Sequence, residues 1–230
     1  MVTSRRASFD GMCNLYTYRV MPEEMAGLIA HFKLVGRQFA DVMSMRNDPD
    51  ADVYPNRRAP VVVMQDGQPV MRTDMLWGFP PYGGKGPYAT NYRTLNNHMW
   101  RDWLDRGHRC VVPATAFAEP DRNTVKPVVW RWFARTDGLP FFFAGIWRPW
   151  TGDRGTKKAP NIGDHTLFSI MTTEANGLVK PIHDKAMPVM LMKPEDVEQW
   201  LAGKNVADAV EMQKPAPDDA IKIVEIEKAA

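Results

Sequence analysis

Residues 60–72 read PVVVMQDGQPVMR, and this stretch decides the fold class. Pro60 to Gln65 is rich in β-branched residues and reads as a strand. Asp66-Gly67 is a two-residue hairpin turn, and Gln68 to Arg72 is the return strand. Outward from this hairpin the pattern recurs. Asp74 to Phe79 reads as another strand, ending at Pro80-Pro81. Arg109 to Pro113 is a short strand. Val128 to Ala134 and Leu139 to Ile146 flank Asp137-Gly138 as a second hairpin. Thr166 to Thr172, Met187 to Met192 and Ile221 to Ile226 are strand-like. Tyr82 to Tyr88 and Trp150 to Asp164 carry the glycines and prolines of loops.

Helices are few. Pro22-Glu23-Glu24 sets proline and acids at a helix start, with Met25, Leu28, Ile29 and Phe32 on one face. Asn96 or Asn97 can cap a helix whose Met99, Trp100, Trp103 and Leu104 face the core, and Gly107 stops it. Pro194 to Leu201 repeats the proline-then-acids start. Many short strands, hairpins and few helices predict an α+β fold, with a curved or barrel-like, mainly antiparallel core in one domain.

Composition sets the frame. The chain has 230 residues, 44% hydrophobic and 24% charged, as in ordinary globular proteins. Its two cysteines, Cys13 and Cys110, give no disulfide framework, so a reducing, cytoplasmic setting is expected. No apolar run approaches the ~18 residues of a membrane span, and residues 1–12 lack the apolar segment of a secretory signal. Net charge is +2, too small for a global field toward nucleic acid. The segment from Arg72 to Arg109 nevertheless holds six basic and three acidic residues, compatible with a local phosphate-binding face or with a plain solvated surface.

Met12-Cys13 carries the most pointed chemistry. If the chain starts at Met12, or residues 1–12 are removed, Cys13 becomes N-terminal and sets a free α-amine beside a thiol. An α-amine titrates near 7.7–8.0, so roughly a tenth is neutral and nucleophilic at pH 7. The amine can form an imine with an aldehyde, and the thiol can close it to a thiazolidine ring. The plainer alternative makes Cys13 a small buried residue in a first strand.

TDMLWGFP (73–80), ATNYRTL (89–95), RCVVPATAFAEP (109–120) and PIHDKAMPVML (181–191), together with MCNLY (12–16), resemble the SOS response-associated peptidase (SRAP) family. DVYPNRRAPVVV (52–63), FFFAGIW (141–147) and SIMTTEAN (169–176) fall in the expected order. The resemblance implies binding of single-stranded DNA and capture of abasic sites as a thiazolidine crosslink through Cys13. Two alternatives stand beside it: a cysteine-type (auto)peptidase using Cys13 with His183 and Glu119, and a non-covalent single-strand-binding module.

The resemblance also places roles. Glu119 matches the family glutamate, suited to proton transfer in opening the sugar hemiacetal and in losing water. His183 matches the family histidine, able to take a proton or steady the sugar oxygen. Asn91 matches the asparagine that holds the amine. Arg93 and Lys185 are expected on phosphate, with Lys185 standing where the family commonly has arginine and so lacking the guanidinium fork. Trp77 is placed to stack on an exposed base; for tryptophan generally, core packing is the ordinary role. Three departures stand out: Asn14-Leu15 replaces a common Gly-Arg, Ala118 and Pro120 replace aromatic neighbours of Glu119, and residues 1–12 precede Cys13 as an extension. The expected domain therefore runs from 13 to 230. No cofactor or metal site is expected, since the histidines lack ligand spacing, and the chain is expected to be a monomer.

Overall fold

The computed structural model describes residues 14–18, 52–81, 86–124 and 127–226. The expected helix beginning at Pro22 and the catalytic candidate Cys13 lie outside the described residues. The strands are β1 (Leu15–Thr17), β2 (Asp52–Val53), β3 (Arg58–Gln65), β4 (Gln68–Trp77), β5 (Asn91–Tyr92), β6 (Arg109–Ala114) and β7 (Ala116–Pro120). They continue as β8 (Trp130–Arg135), β9 (Phe141–Asp153), β10 (Ile162–Thr173), β11 (Met187–Pro188), β12 (Met190–Leu191) and β13 (Ile221–Val224). The described helices are α1 (His98–Asp105), α2 (Pro194–Ala202) and α3 (Val206–Met212).

The β3–β4 hairpin forms as expected. Asp66 and Gly67 take φ of 51° and 75°, the doubly left-handed turn that matches strand twist. β4 then runs unbroken through Thr73 to Trp77, so the two strands expected there are one. β10, β4, β3, β6 and β9 pair in sequence, and β9 also pairs β10, which closes the sheet into a ring. All these pairs are antiparallel except β10 with β4. A second sheet runs β13-β8-β7-β1-β2. The fold is α+β with a barrel-like core, as the sequence indicates.

Strand alternation divides the core. Val61, Val63, Met75 and Trp77 share a cluster with Tyr16, Phe117 and Phe133 of the second sheet. Val62, Leu76 and Val111 turn the other way and are covered by Trp100 and Leu104 of α1 and Val197 and Trp200 of α2. Asn97 caps α1 by accepting from the Met99 N–H at 3.0 Å.

Two expectations about connections fail. Asp137-Gly138 makes a turn, but β8 pairs with β7 and β13 while β9 pairs with β6, β10 and β12. The segment is a crossing between sheets. Pro140 cannot donate to a ladder, and the Arg135 side chain bridges Asp137 and the Pro140 carbonyl, turning the chain away. The expected loop over 150–164 is instead the tip of a long β9–β10 hairpin, paired as far as Asp153 with Ile162. α3 was not expected. Its seven residues, VADAVEM, are too short to show a period, but Asn205 and Asp208 form a capping box. Trp130 and Trp132 are only half-buried, where core packing is the ordinary role of tryptophan.

Candidate functional site

The site forms where the two sheets meet. β1 lies antiparallel beside β7, with Leu15 opposite Ala118, so Asn14 enters the structure next to the Glu119 segment. On its other side the Asn14 Oδ1 accepts a hydrogen bond from the Thr90 hydroxyl at 2.8 Å. That hydroxyl accepts in turn from the Asn91 amide at 3.0 Å. Thr90 is itself fixed through its carbonyl, which accepts from the Ile170 N–H and the Trp77 indole, both at 2.9 Å. β5 then runs parallel to β10, with Asn91 opposite Ile170. The residue that follows Cys13 is thus held against both the Asn91 and the Glu119 elements.

Glu119 and His183 are both fully buried. The His183 Nδ1 lies 3.5 Å from the Glu119 Oε2 and 3.2 Å from the Ala186 carbonyl oxygen, to which it donates. Burial pushes the His183 imidazole below its ordinary value. The Ala186 contact opposes this, and the Arg122 guanidinium adds to it. The turn bearing His183 is rigidly attached. Its N–H donates to the Val179 carbonyl at 2.9 Å, the Asn176 side chain accepts from the Val179 N–H and donates to the Ala216 carbonyl, and Asn123 donates to the Pro181 carbonyl at 2.8 Å.

Arg93 and Lys185 come together at the edge. Both are exposed, and the Arg93 Nη1 donates to the Lys185 carbonyl at 2.5 Å. Gln213 holds this edge in place by donating to the Arg93 and Thr172 carbonyls at 2.7 and 2.8 Å. Glu119 thus meets His183, Arg93 meets Lys185, and Asn91 is tied through Thr90 to Asn14 beside the Glu119 strand.

Trp77 is a correction. It is 0% exposed, stacks on Phe168, meets Tyr16 edge-on and donates its indole N–H to Thr90. An indole so enclosed cannot offer a face to a base, and its part is to fix Thr90. The basic segment from Arg72 to Arg109 does not form one face either. Arg72 pairs with Asp74, Arg101 pairs with Asp105, Arg106 lies over Trp103, and Arg109 is buried over Trp200. Cys110 is buried, which pushes its thiol well above the ordinary value and suits inert packing. Among the described residues no cluster of His, Cys, Asp or Glu could hold a metal. No described helix is long and apolar enough to cross a membrane.

The sequence reading missed Thr90, Asn14 and Arg122. Thr90 sits beside Asn91 in ATNYRTL, and Asn14 beside Cys13, so adjacency was the available signal. Arg122, three residues after Glu119, is aimed by an Asx turn in which the Asp121 carboxylate accepts from the Asn123 N–H at 3.0 Å.

Comparisons with known proteins identify the family and the fold. The family model described as SOS response associated peptidase (SRAP) matches residues 12–230. Abasic site processing protein YoaM of Bacillus subtilis is 32% identical over 170 residues, covering 69% of this chain and 68% of that protein. Abasic site processing protein YoqW of the same organism is 32% identical over 167 residues, covering 68% of each. In fold, a structural-genomics crystal structure from Bordetella bronchiseptica superposes with a TM-score of 0.68 at 19% identity, covering 93% of this chain and all of the other. One from Bacteroides thetaiotaomicron gives 0.68 at 18% identity, covering 93% of this chain and 92% of that one.

Proposed function

The chain belongs to the SOS response associated peptidase (SRAP) family, and from that premise we propose that it captures abasic sites in single-stranded DNA as a covalent thiazolidine through Cys13. One observation carries this reading. The residue after Cys13 is tied by Thr90 to Asn91 and lies, through β1, beside the strand of buried Glu119. Asn91 supplies an amide and Glu119 a carboxyl group, the groups needed to hold an amine and to move protons. Two relatives bear the name abasic site processing protein, and the family match begins at residue 12, directly before Cys13. The names support abasic sites as the target, and the start of the match supports a domain spanning 13–230.

The chemistry balances without a cofactor. Glu119 transfers the proton that opens the sugar hemiacetal to its aldehyde. The α-amine of Cys13 adds to that carbonyl carbon, and the resulting carbinolamine loses water to give an imine. The thiol adds across the C=N bond and its proton passes to nitrogen, closing the ring with net loss of one water. Asn91 holds the amine in line. Arg93 and Lys185 bind phosphates beside the lesion, Arg93 with a forked donor and Lys185 as a point charge. A duplex keeps the lesion stacked, so a single strand is the better substrate.

The test is incubation of protein beginning at Cys13 with a single-stranded abasic oligonucleotide, followed by denaturing electrophoresis. A shifted band that disappears with Cys13→Ala and on acetylation of the α-amine is expected. No band, or an undiminished band in either control, rejects the proposal. Proteolysis that survives acetylation would instead favour the thiol peptidase.

A further inference from the structure

Arg122 reaches His183 from the side opposite Glu119. Its Nη2 lies 3.0 Å from the His183 Nε2, and its Nη1 lies 3.7 Å from Asp184. Its backbone N–H donates to the Ile182 carbonyl at 3.1 Å, which fixes it to the histidine turn. A guanidinium can only donate. The Nε2 must therefore accept, and the proton of a neutral imidazole must sit on Nδ1. Both neighbours of Nδ1, the Ala186 carbonyl at 3.2 Å and the Glu119 carboxyl at 3.5 Å, are acceptor oxygens and agree with this assignment. A proton on Nε2 would set two donors face to face against a buried imidazole.

We propose that Arg122 is a positioning residue: it holds His183 as the neutral Nδ1–H tautomer, so that a donor, and not a base, faces the Ala186 carbonyl and the Glu119 carboxyl beside it. This rests on the reading of Glu119 and His183 as the site of abasic-sugar capture. It narrows the role of His183. With its Nε2 lone pair engaged by Arg122, the imidazole is poorly placed to take a proton from the amine or thiol of Cys13. Its contribution is to set a polar N–H, held by the Ala186 carbonyl, 3.5 Å from the carboxyl of Glu119. The charged or titratable groups facing His183 are Glu119, Arg122, Asp184 and Lys185. Of these, Arg122 and Lys185 disfavour a charged imidazole and Asp184 favours one. Loss of Arg122 frees the tautomer and lets His183 charge at higher pH.

Nitrogen-15 NMR of the folded chain, labelled at histidine and free of DNA, tests the assignment. The expected wild-type spectrum has His183 protonated at Nδ1 and unprotonated at Nε2, and still neutral below about pH 6.5. In Arg122→Met the expected spectrum mixes tautomers, and the His183 midpoint rises. Arg122→Lys, which keeps one charged donor, restores most of the wild-type pattern. Crosslinking rates should follow, with the acid limb of the Arg122→Met profile moved up by the same amount and that of Arg122→Lys close to wild type. A purely structural arginine would lower the rate at every pH and leave the limb in place. A wild-type Nε2–H tautomer, or unchanged tautomer and midpoint in Arg122→Met, overturns the proposal. The wild-type assignment needs no variant to fold. It is read without DNA, so failure to crosslink overturns the proposed function alone.

Discussion

Thr90→Val isolates the link between the start of the domain and Asn91. The hydroxyl donates to Asn14 at 2.8 Å and accepts from Asn91 at 3.0 Å. Valine keeps the branched shape and removes both bonds. A neutral hydrogen bond is worth about 1 kcal/mol net. Asn91 is 8% exposed and Asn14 is half-buried, so water compensates little at one end and partly at the other. The expected loss in unfolding free energy is about 2 kcal/mol, read from urea unfolding. If only one bond's worth of alignment is lost in the transition state, crosslinking slows about fivefold. If both are lost, it slows about thirtyfold. Single-turnover crosslinking of protein beginning at Cys13 measures this, with Thr90→Ser as the control that keeps the hydroxyl. A Thr90→Val protein that crosslinks at the wild-type rate would refute the idea that this hydroxyl aligns the nucleophile.

Three further outcomes are expected. Glu119→Gln, nearly isosteric in a fully buried position, should slow crosslinking by about 10²–10⁴-fold and leave affinity for undamaged single strands unchanged; equal losses in both would make Glu119 structural. Trp77→Phe loses the indole bond to Thr90 and some stacking area, so stability should fall by about 2 kcal/mol with undamaged-strand affinity unchanged; a selective fall in affinity would return Trp77 to the binding surface. His108 and His183 are both held below the ordinary histidine value by burial, so on acidification the unfolded chain takes up protons first. Their stabilisation is complete above about pH 6.5 and declines as pH falls toward the folded values; chemical unfolding that is flat with pH in that window would contradict this.

The legible parts of the fold were those set by local chemistry. Asp66-Gly67 forces a hairpin, and Asn97 and Gly107 bound α1, because each acts through neighbours in sequence. What stayed hidden depends on partners far along the chain. Asp137-Gly138 looks like a hairpin turn, yet the pairing of β8 with β13 and of β9 with β6 is decided by residues tens of positions away. Glycine, lysine and proline near 155–160 made a loop of what is the end of a long hairpin, since they occupy its tip. Glu119, His183, Asn91, Arg93 and Lys185 were reached by resemblance, and the structure sets Glu119 against His183 and Arg93 against Lys185. Thr90 and Arg122 act by holding those groups, and a residue that orients another carries no motif of its own. Trp77 carried the family position, but its surroundings, Tyr16 from β1 and Phe168 from β10, assign it to the core.

Intact mass spectrometry of the adduct tests the central claim most directly. Protein beginning at Cys13, mixed with an abasic oligonucleotide, should give a species weighing the sum of the two less one water, and chain that retains residues 1–12 should give none. An adduct of the same mass from the chain with those residues attached, or from Cys13→Ala, would contradict the account.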